Sequence, residues 1–132
     1  MEKIFYNKEG EAVAYLAEDY RGTIYLWDGL AVAYLFEENH IYGINGKHLG
    51  WLKDEVIYDN DGARVGFTSS TSPVSIAKTR PKGEKAPVDE VRTRWSAPPF
   101  PKLSFQAADQ DLAEFLEQGR VSSHLDSGSQ QG

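Results

Sequence analysis

The amino-acid sequence predicts an all-β fold: a shallow pseudo-fourfold barrel of four β-hairpin repeats, with eight short strands. A Pro-rich C-terminal extension with one short α-helix follows. Three observations predict this fold. One motif recurs four times within residues 3–68, and it is rich in the Ile, Val, Tyr and Phe that form half-buried strands. All seven tyrosines also precede residue 59 and all six prolines follow residue 72, which separates an aromatic domain from an extended segment.

The repeated motif is anchored by four glycines, namely Gly10, Gly29, Gly46 and Gly62. Four residues before each glycine is a tyrosine that follows Phe or Ile; the pairs are Phe5-Tyr6, Ile24-Tyr25, Ile41-Tyr42 and Ile57-Tyr58. Three residues after each glycine begins an aliphatic–tiny–aromatic triplet; the triplets are Val13-Ala14-Tyr15, Val32-Ala33-Tyr34, Leu49-Gly50-Trp51 and Val65-Gly66-Phe67. This agreement across four copies indicates a true internal repeat.

Each copy has the signature of a tight β-hairpin, because Asp-Gly and Asn-Gly pairs tolerate the positive φ of hairpin turns. A lone hairpin is marginal in water, so the four units are expected to bury their faces against one another. Closing them into a ring also removes exposed sheet edges. A small side chain is expected where neighbouring backbones pass closely. The candidates are Ala14, Ala33, Gly50 and Gly66.

The chain is predicted to divide into four parts. Residues 1–77 form the hairpin domain, with residues 74–76 as a possible short added strand, and residues 78–108 form a Pro-rich basic extension. Residues 109–119 form a short amphipathic helix, and residues 120–132 form a disordered, polar and Gly/Ser-rich tail. Residues 1–68 hold 12 acidic and 6 basic residues, whereas residues 78–102 hold 7 basic and 3 acidic ones. The extension is therefore expected to lie along its own acidic domain.

The predicted helix shows an apolar stripe and end signals. Leu112, Phe115 and Leu116 stand at i, i+3 and i+4, which indicates a one-sided docking helix. Asp109 is the predicted N-cap, and Gly119 is the predicted end.

The hairpin motif resembles that of the bacterial four-fold β-flower proteins. The resemblance covers residues 3–68 and rests on Phe5-Tyr6, Gly10 and the triplet Val13-Ala14-Tyr15, with their three echoes. It implies a shallow pseudo-fourfold barrel whose hairpins splay outward as petals. It implies no activity and no functional residue.

No catalytic or metal-binding motif stands out in the sequence. There is no cysteine, P-loop, dinucleotide fingerprint or nucleophile elbow, so we predict no enzyme activity, no cofactor and no metal site. His40 and His48 flank the third turn and are expected to approach each other, but two histidines without a third ligand make a weak zinc site. His124 lies in the predicted tail. The net charge of −6 argues against nucleic-acid binding.

Binding is the predicted function, and the sequence leaves two forms of it open. In the first, an aromatic-lined hollow holds a hydrophobic small molecule or lipid. Its candidate residues are Tyr6, Tyr25, Tyr42 and Tyr58, with Tyr15, Tyr34, Trp51 and Phe67 beside them or on the opposite face. Alternatively, these aromatic rings form the hydrophobic core of the domain.

The second form is a protein-interaction module or homo-oligomeric assembly subunit that uses apolar hairpin tips and the Pro-rich extension. Its candidate residues are Leu26, Trp27, Leu30, Trp95 and Phe100. The apolar tip at Trp27 is alternatively expected to be covered by the segment around Phe100 or Phe115.

The expected location is the cytoplasm. The absence of cysteine, of a signal peptide and of an apolar run of the ~20 residues that a membrane helix needs supports this expectation.

Overall fold

The computed structural model describes residues 2–121, and it has eight strands and one helix in this range. The strands are β1 (Lys3–Tyr6), β2 (Ala12–Leu16), β3 (Thr23–Leu26), β4 (Ala31–Phe36), β5 (His40–Gly43), β6 (His48–Lys53), β7 (Val56–Asp59) and β8 (Arg64–Phe67), and the helix is α1 (Leu112–Glu117). Each strand pairs antiparallel with the next, and β8 pairs with β1 through Tyr6 and Phe67. The predicted closed all-β barrel of four hairpins is therefore confirmed. We call the hairpins β1–β2, β3–β4, β5–β6 and β7–β8 petals 1 to 4.

The petal turns depend on glycine at one position. In each turn the glycine N–H donates to a carbonyl three residues earlier, at 2.9–3.1 Å. The four turn glycines have φ values between 82° and 102°, in the region that favours glycine. Side-chain oxygens of Asn or Asp also accept backbone N–H groups in every turn, as in Asn45 with Lys47. The Asx–glycine chemistry of the sequence therefore produces the turns locally.

Each petal places one bulky residue opposite one small residue in the barrel core. Phe5, Ile24, Ile41 and Ile57 are fully or almost fully buried. Each lies opposite a small residue on the second strand of its own petal; the partners are Ala14, Ala33, Gly50 and Gly66. A Cβ added at Gly50 would lie 2.2 Å from the carbonyl oxygen of Tyr58 on the neighbouring petal. At this position a small residue does permit close approach of two backbones.

Helix α1 packs into the same core. Leu112, Phe115 and Leu116 are at most 2% exposed and join the cluster of inward-facing barrel residues. A Cβ added at Gly50 would lie 2.8 Å from the Phe115 ring, and one at Gly66 would lie 2.9 Å from Leu112. The small residues of petals 3 and 4 therefore also make room for the helix, a role that the repeat pattern alone did not indicate.

The start of α1 differs from the prediction. Asp111, and not Asp109, is the N-cap; its carboxylate accepts the N–H of Ala113, and the Glu114 side chain accepts the N–H of Asp111. This reciprocal arrangement is a capping box, which needs Glu or Gln three residues after the cap, and only Asp111 meets that condition. Residues 74–76 do not form a strand.

The segment that joins β8 to α1 follows the outside of the barrel. We call residues 73–108 the arm. Its backbone N–H groups at positions 77, 86, 95 and 104 donate to the carbonyl oxygens of the four turn glycines, at 2.9–3.0 Å. The pairs are Ala77 with Gly10, Ala86 with Gly29, Trp95 with Gly46 and Ser104 with Gly62. The arm thus visits the petals in chain order, one every nine residues.

The turn glycines also leave space for the arm. A Cβ added at Gly62 would lie 2.1 Å from the carbonyl oxygen of Lys102, and the other three turn glycines meet arm carbonyl oxygens at 1.8–2.5 Å. Glycine is therefore required at each turn for its φ value and for the absence of a side chain.

We predict that Gly62→Ala loosens the arm in addition to straining the turn. Gly22→Ala is the matched control, because Gly22 also has positive φ (68° against 86°) but its added Cβ meets atoms no closer than 3.4 Å. Backbone strain costs each variant about 1–2 kcal/mol. The clash with the arm should cost Gly62→Ala a further 1–3 kcal/mol or so. Denaturant unfolding and the rate of tryptic cleavage at Lys102 measure both effects, and equal values for the two variants would contradict the prediction.

Candidate functional site

The eight aromatic residues of the repeats lie on the outer face of the barrel in four pairs. Each pair joins the second strand of one petal to the first strand of the next. Tyr15 stacks on Tyr25 with ring centroids 5.5 Å apart, and Tyr34 stacks on Tyr42 at 6.1 Å. The other two pairs are Trp51 with Tyr58 and Phe67 with Tyr6. None of the eight is more than 6% exposed.

The arm contacts these aromatic pairs. The Lys82 ammonium lies 4.1 Å from the centroid of the Tyr15 ring, and Lys85 lies 5.2 Å from that of Tyr25. Such contacts are cation–π interactions. Lys82 also pairs with Glu2.

The remaining aromatic pairs receive contacts from later in the arm. Arg94 lies over the Phe36 ring at 3.9 Å and donates to the Tyr34 hydroxyl at 3.3 Å. Phe100 packs edge-on against Trp51 with a centroid distance of 4.8 Å, and Leu103 packs beside Tyr58 and Phe67. The eight aromatic residues therefore do not converge on one hollow; they lie in separate pairs, contacted by the arm. Whether any of them binds a ligand stays a prediction.

Petal 3 brings the two histidines together, as expected. His40 Nδ1 and His48 Nε2 are 3.1 Å apart, and the His48 ring lies 4.8 Å from Trp51 and 4.9 Å from Tyr42. His48 is 6% exposed, and its buried Nδ1 has no hydrogen-bond partner within residues 2–121. Burial, and then the neighbouring His40, lower the pKa of His48 to about 4. His124 lies outside the described residues.

His40 and His48 were also considered as a metal site. Within residues 2–121, no group of three or more His, Cys, Asp or Glu side chains is arranged to hold a metal ion. The neutral imidazole of His48 instead packs as part of an aromatic cluster.

The candidate interaction residues have different environments. Leu26 and Trp27 are each 7% exposed, whereas Leu30 is partly buried. The arm covers Trp27: the indole N–H donates to the carbonyl of Arg80 at 2.9 Å, and Gly83 N–H donates to the Trp27 carbonyl at 2.8 Å. The expectation that the Phe100 or Phe115 segment covers this tip was therefore wrong for Trp27, whereas Leu26 joins the core cluster that contains Phe115. The arm reaches petal 2 within a few residues of leaving petal 1.

Trp95 and Phe100 face outward. Trp95 is 61% exposed and Phe100 is 49% exposed. They flank the petal 3 aromatic cluster, since the Tyr42 hydroxyl donates to the Trp95 carbonyl at 2.9 Å and Phe100 packs on Trp51. Tyr20 and Phe105, at 94% and 90% exposure, are exposed aromatic residues that the sequence reasoning did not single out.

An open cleft lies between petals 1 and 2. Its volume is about 390 Å³, and its walls come from both petals, from arm residues 77–80 and from helix α1. Trp27, Leu26 and Val13 contribute apolar surface, and Ala113 and Glu117 close the helix side. Sequence reasoning missed this cleft, because the arm and the helix that complete it have no repeat pattern.

Comparison with known proteins defines the family. A family model described as the 4-fold beta flower protein matches residues 3–116. The chain belongs to this family. The match extends past the hairpins through the arm to α1, so the family unit is longer than the resemblance over residues 3–68 indicated. Neither the curated proteins nor the solved structures gave a match. No helix within residues 2–121 is long and apolar enough to cross a membrane.

We predict that His48 makes the stability of this beta flower protein depend on pH. The unfolded chain binds a proton at His48 below a pKa of about 6.5, whereas the folded chain does so only below about 4. Between these values the unfolded state binds more protons, so the free energy of unfolding falls as the pH decreases from 6.5 to 4. The loss should reach about 3 kcal/mol.

The control for this prediction is His48→Gln, which removes the titrating group but keeps a polar side chain. Denaturant unfolding of both proteins between pH 7 and pH 4 measures the difference. The gap between the two free energies should change steadily through this window. A constant gap would show that His48 titrates alike in the folded and unfolded chains.

Proposed function

We propose that this beta flower protein is a noncatalytic protein-interaction module. In this proposal the barrel is a scaffold, and the outward face of the arm around Trp95 and Phe100 binds the partner. The observation that carries the proposal is the exposure of these two aromatic residues, 61% and 49%, on a segment whose backbone is fixed to the barrel. Tryptophan at the centre of an interface is a frequent source of binding energy.

The backbone around Trp95 is held from two sides. The Trp95 N–H donates to the Gly46 carbonyl at 2.9 Å, and the Trp95 carbonyl accepts the Tyr42 hydroxyl at 2.9 Å. The Phe100 ring rests edge-on against Trp51. A binding surface that is ordered before the partner arrives loses less conformational entropy on association. These contacts therefore support a preorganised interface.

The positive charge of the arm adds to this surface. Arg92, three positions before Trp95 in the chain, is exposed, and Arg94 covers Phe36. Arginine and tryptophan are both enriched in protein interfaces relative to other surface. The combination favours a protein partner with an apolar pocket rimmed by acidic groups.

The closed interior supports an interaction module over a ligand-holding barrel. Helix α1 fills the barrel core with Leu112, Phe115 and Leu116, and the aromatic pairs outside are almost fully buried. Binding of a hydrophobic small molecule or lipid by the eight aromatic residues therefore has less geometric support. The noncatalytic character of the proposal rests on the lack of a catalytic motif in the sequence.

The test compares Trp95→Ala and Phe100→Ala with Tyr20→Ala and Phe105→Ala, which remove more exposed rings elsewhere. Proteins cross-linked to the wild-type chain in its native cells are identified, and the best candidate is purified and titrated. We expect the first two variants to weaken its affinity about 30-fold, equivalent to 2 kcal/mol, and the two controls to leave it unchanged.

Light scattering distinguishes a foreign partner from a second copy. A discrete wild-type oligomer that dissociates in Trp95→Ala would make the partner another copy of this chain. Equal affinities and equal masses for all four variants and the wild type would contradict the proposal.

A further inference from the structure

The pseudo-fourfold barrel has four equivalent gaps between neighbouring petals, and three of them are filled. Each gap lies between the start of the second strand of one petal and the turn of the next petal. Between petals 2 and 3, Gly119 fills the space: its carbonyl accepts the Asn45 N–H at 3.0 Å, and a Cβ added to it would lie 2.4 Å from the Val32 carbonyl.

The next two gaps are filled by different groups. Between petals 3 and 4, the Asn60 side chain donates to the carbonyls of His48 and Leu49 at 3.2–3.3 Å. Between petals 4 and 1, Ala108 donates its N–H to the Arg64 carbonyl at 2.7 Å and accepts the Lys8 ammonium at 3.4 Å. Three unrelated fillings of equivalent spaces indicate that each gap has to be occupied by something.

Within the described residues 2–121, no such group fills the gap between petals 1 and 2, which forms the cleft of about 390 Å³. The arm crosses this cleft and is fixed on both sides of it. The Ala77 N–H donates to the Gly10 carbonyl on petal 1, and the Arg80 carbonyl accepts the Trp27 indole N–H on petal 2. Under the neighbouring stretch of arm, Val88 packs against the Tyr25 and Tyr34 clusters.

Because the arm meets successive petals every nine residues, the position equivalent to Val88 at this cleft is Thr79. Thr79 lines the cleft and is exposed. An apolar arm side chain such as Val88, which packs between petals 2 and 3, therefore has no counterpart at the cleft between petals 1 and 2. The volume and the partly apolar lining suit a small molecule.

The charges around the cleft are of both signs. Glu11, Asp28 and Glu117 line it from the two petals and the helix, and Lys78 and Arg80 line it from the arm. Within residues 2–121, neither Glu117 nor these two basic residues makes an ion pair or a side-chain hydrogen bond. Glu117 and the two cations are thus available to a ligand that carries both charges, whereas Glu11 and Asp28 already accept hydrogen bonds from Asn7 and Leu30.

We propose that this cleft binds a small amphipathic zwitterion. Its ammonium group would face the carboxylates, with Glu117 foremost, and its anionic group would face Lys78 and Arg80. Its apolar part would lie against Trp27 and Leu26. An apolar amino acid or short peptide presents all three groups, and a zwitterionic lipid headgroup presents the two charges. The proposal is independent of the interaction surface at Trp95, which lies on petal 3.

The test is calorimetric titration of the full chain with two probes, the dipeptide leucyl-leucine and glycerophosphocholine. Ala113→Leu fills the cleft from the helix, with Ala97→Leu on the exposed arm as its control. Glu117→Gln and Arg80→Gln remove one charge of each sign, with Glu90→Gln and Lys102→Gln as exposed controls. Thermal melting verifies that every variant is folded.

We expect saturable one-to-one binding of at least one probe. Glu117→Gln and Arg80→Gln should weaken it about tenfold or more, because each removes one of the two charge pairs with the ligand; for the dipeptide these pairs are charge-assisted hydrogen bonds. Ala113→Leu should abolish it, and the control variants should bind as the wild type does. Binding of the dipeptide alone assigns the ligand to the amino-acid class, and binding of glycerophosphocholine alone assigns it to lipid headgroups.

Two results would overturn the proposal. One is no binding of either probe to the wild-type chain at millimolar concentration. The other is binding that persists in a folded Ala113→Leu variant, since the ligand would then lie elsewhere.

Discussion

The hydrogen bond from the arm to the carbonyl of each turn glycine connects the two halves of this beta flower protein. The same four glycines make the petals turn, with φ between 82° and 102°, and leave the space through which arm carbonyls pass. A side chain at any of them would disturb the hairpin and the arm together. The arm in turn sets the path by which α1 reaches the barrel core. Turn, arm and core therefore depend on one type of residue.

The petals were predictable because their determinants are local. Asp28-Gly29, Asn45-Gly46 and the tyrosine four residues earlier define a turn and a strand without reference to distant parts of the chain. Closure into a ring then follows from the need of each hairpin to bury its face. The approach of His40 to His48 was predictable for the same reason. The burial of His48 was not, because Trp51, which packs on His48, is itself contacted by Phe100 of the distant arm.

The path of the arm was not predictable from its side chains. The four arm residues that bond to the turns are Ala77, Ala86, Trp95 and Ser104, which share no chemistry, because the barrel recognises their backbone N–H groups. The aromatic hollow was expected for a related reason: without the arm, the outer pairs look available to a ligand. The helix cap is a different case. The spacing of Asp111 and Glu114 carried the capping-box signal, and Asp109 lacks that partner.

The barrel holds the arm through its backbone at every ninth residue. Hydrogen exchange of the folded chain, measured residue by residue by NMR, is the direct test of these four bonds. The amides of Ala77, Ala86, Trp95 and Ser104 should exchange slowly, and the exposed amides between them, such as Thr79 and Ala97, should exchange fast. Equally fast exchange along the whole arm would show that these bonds do not hold it.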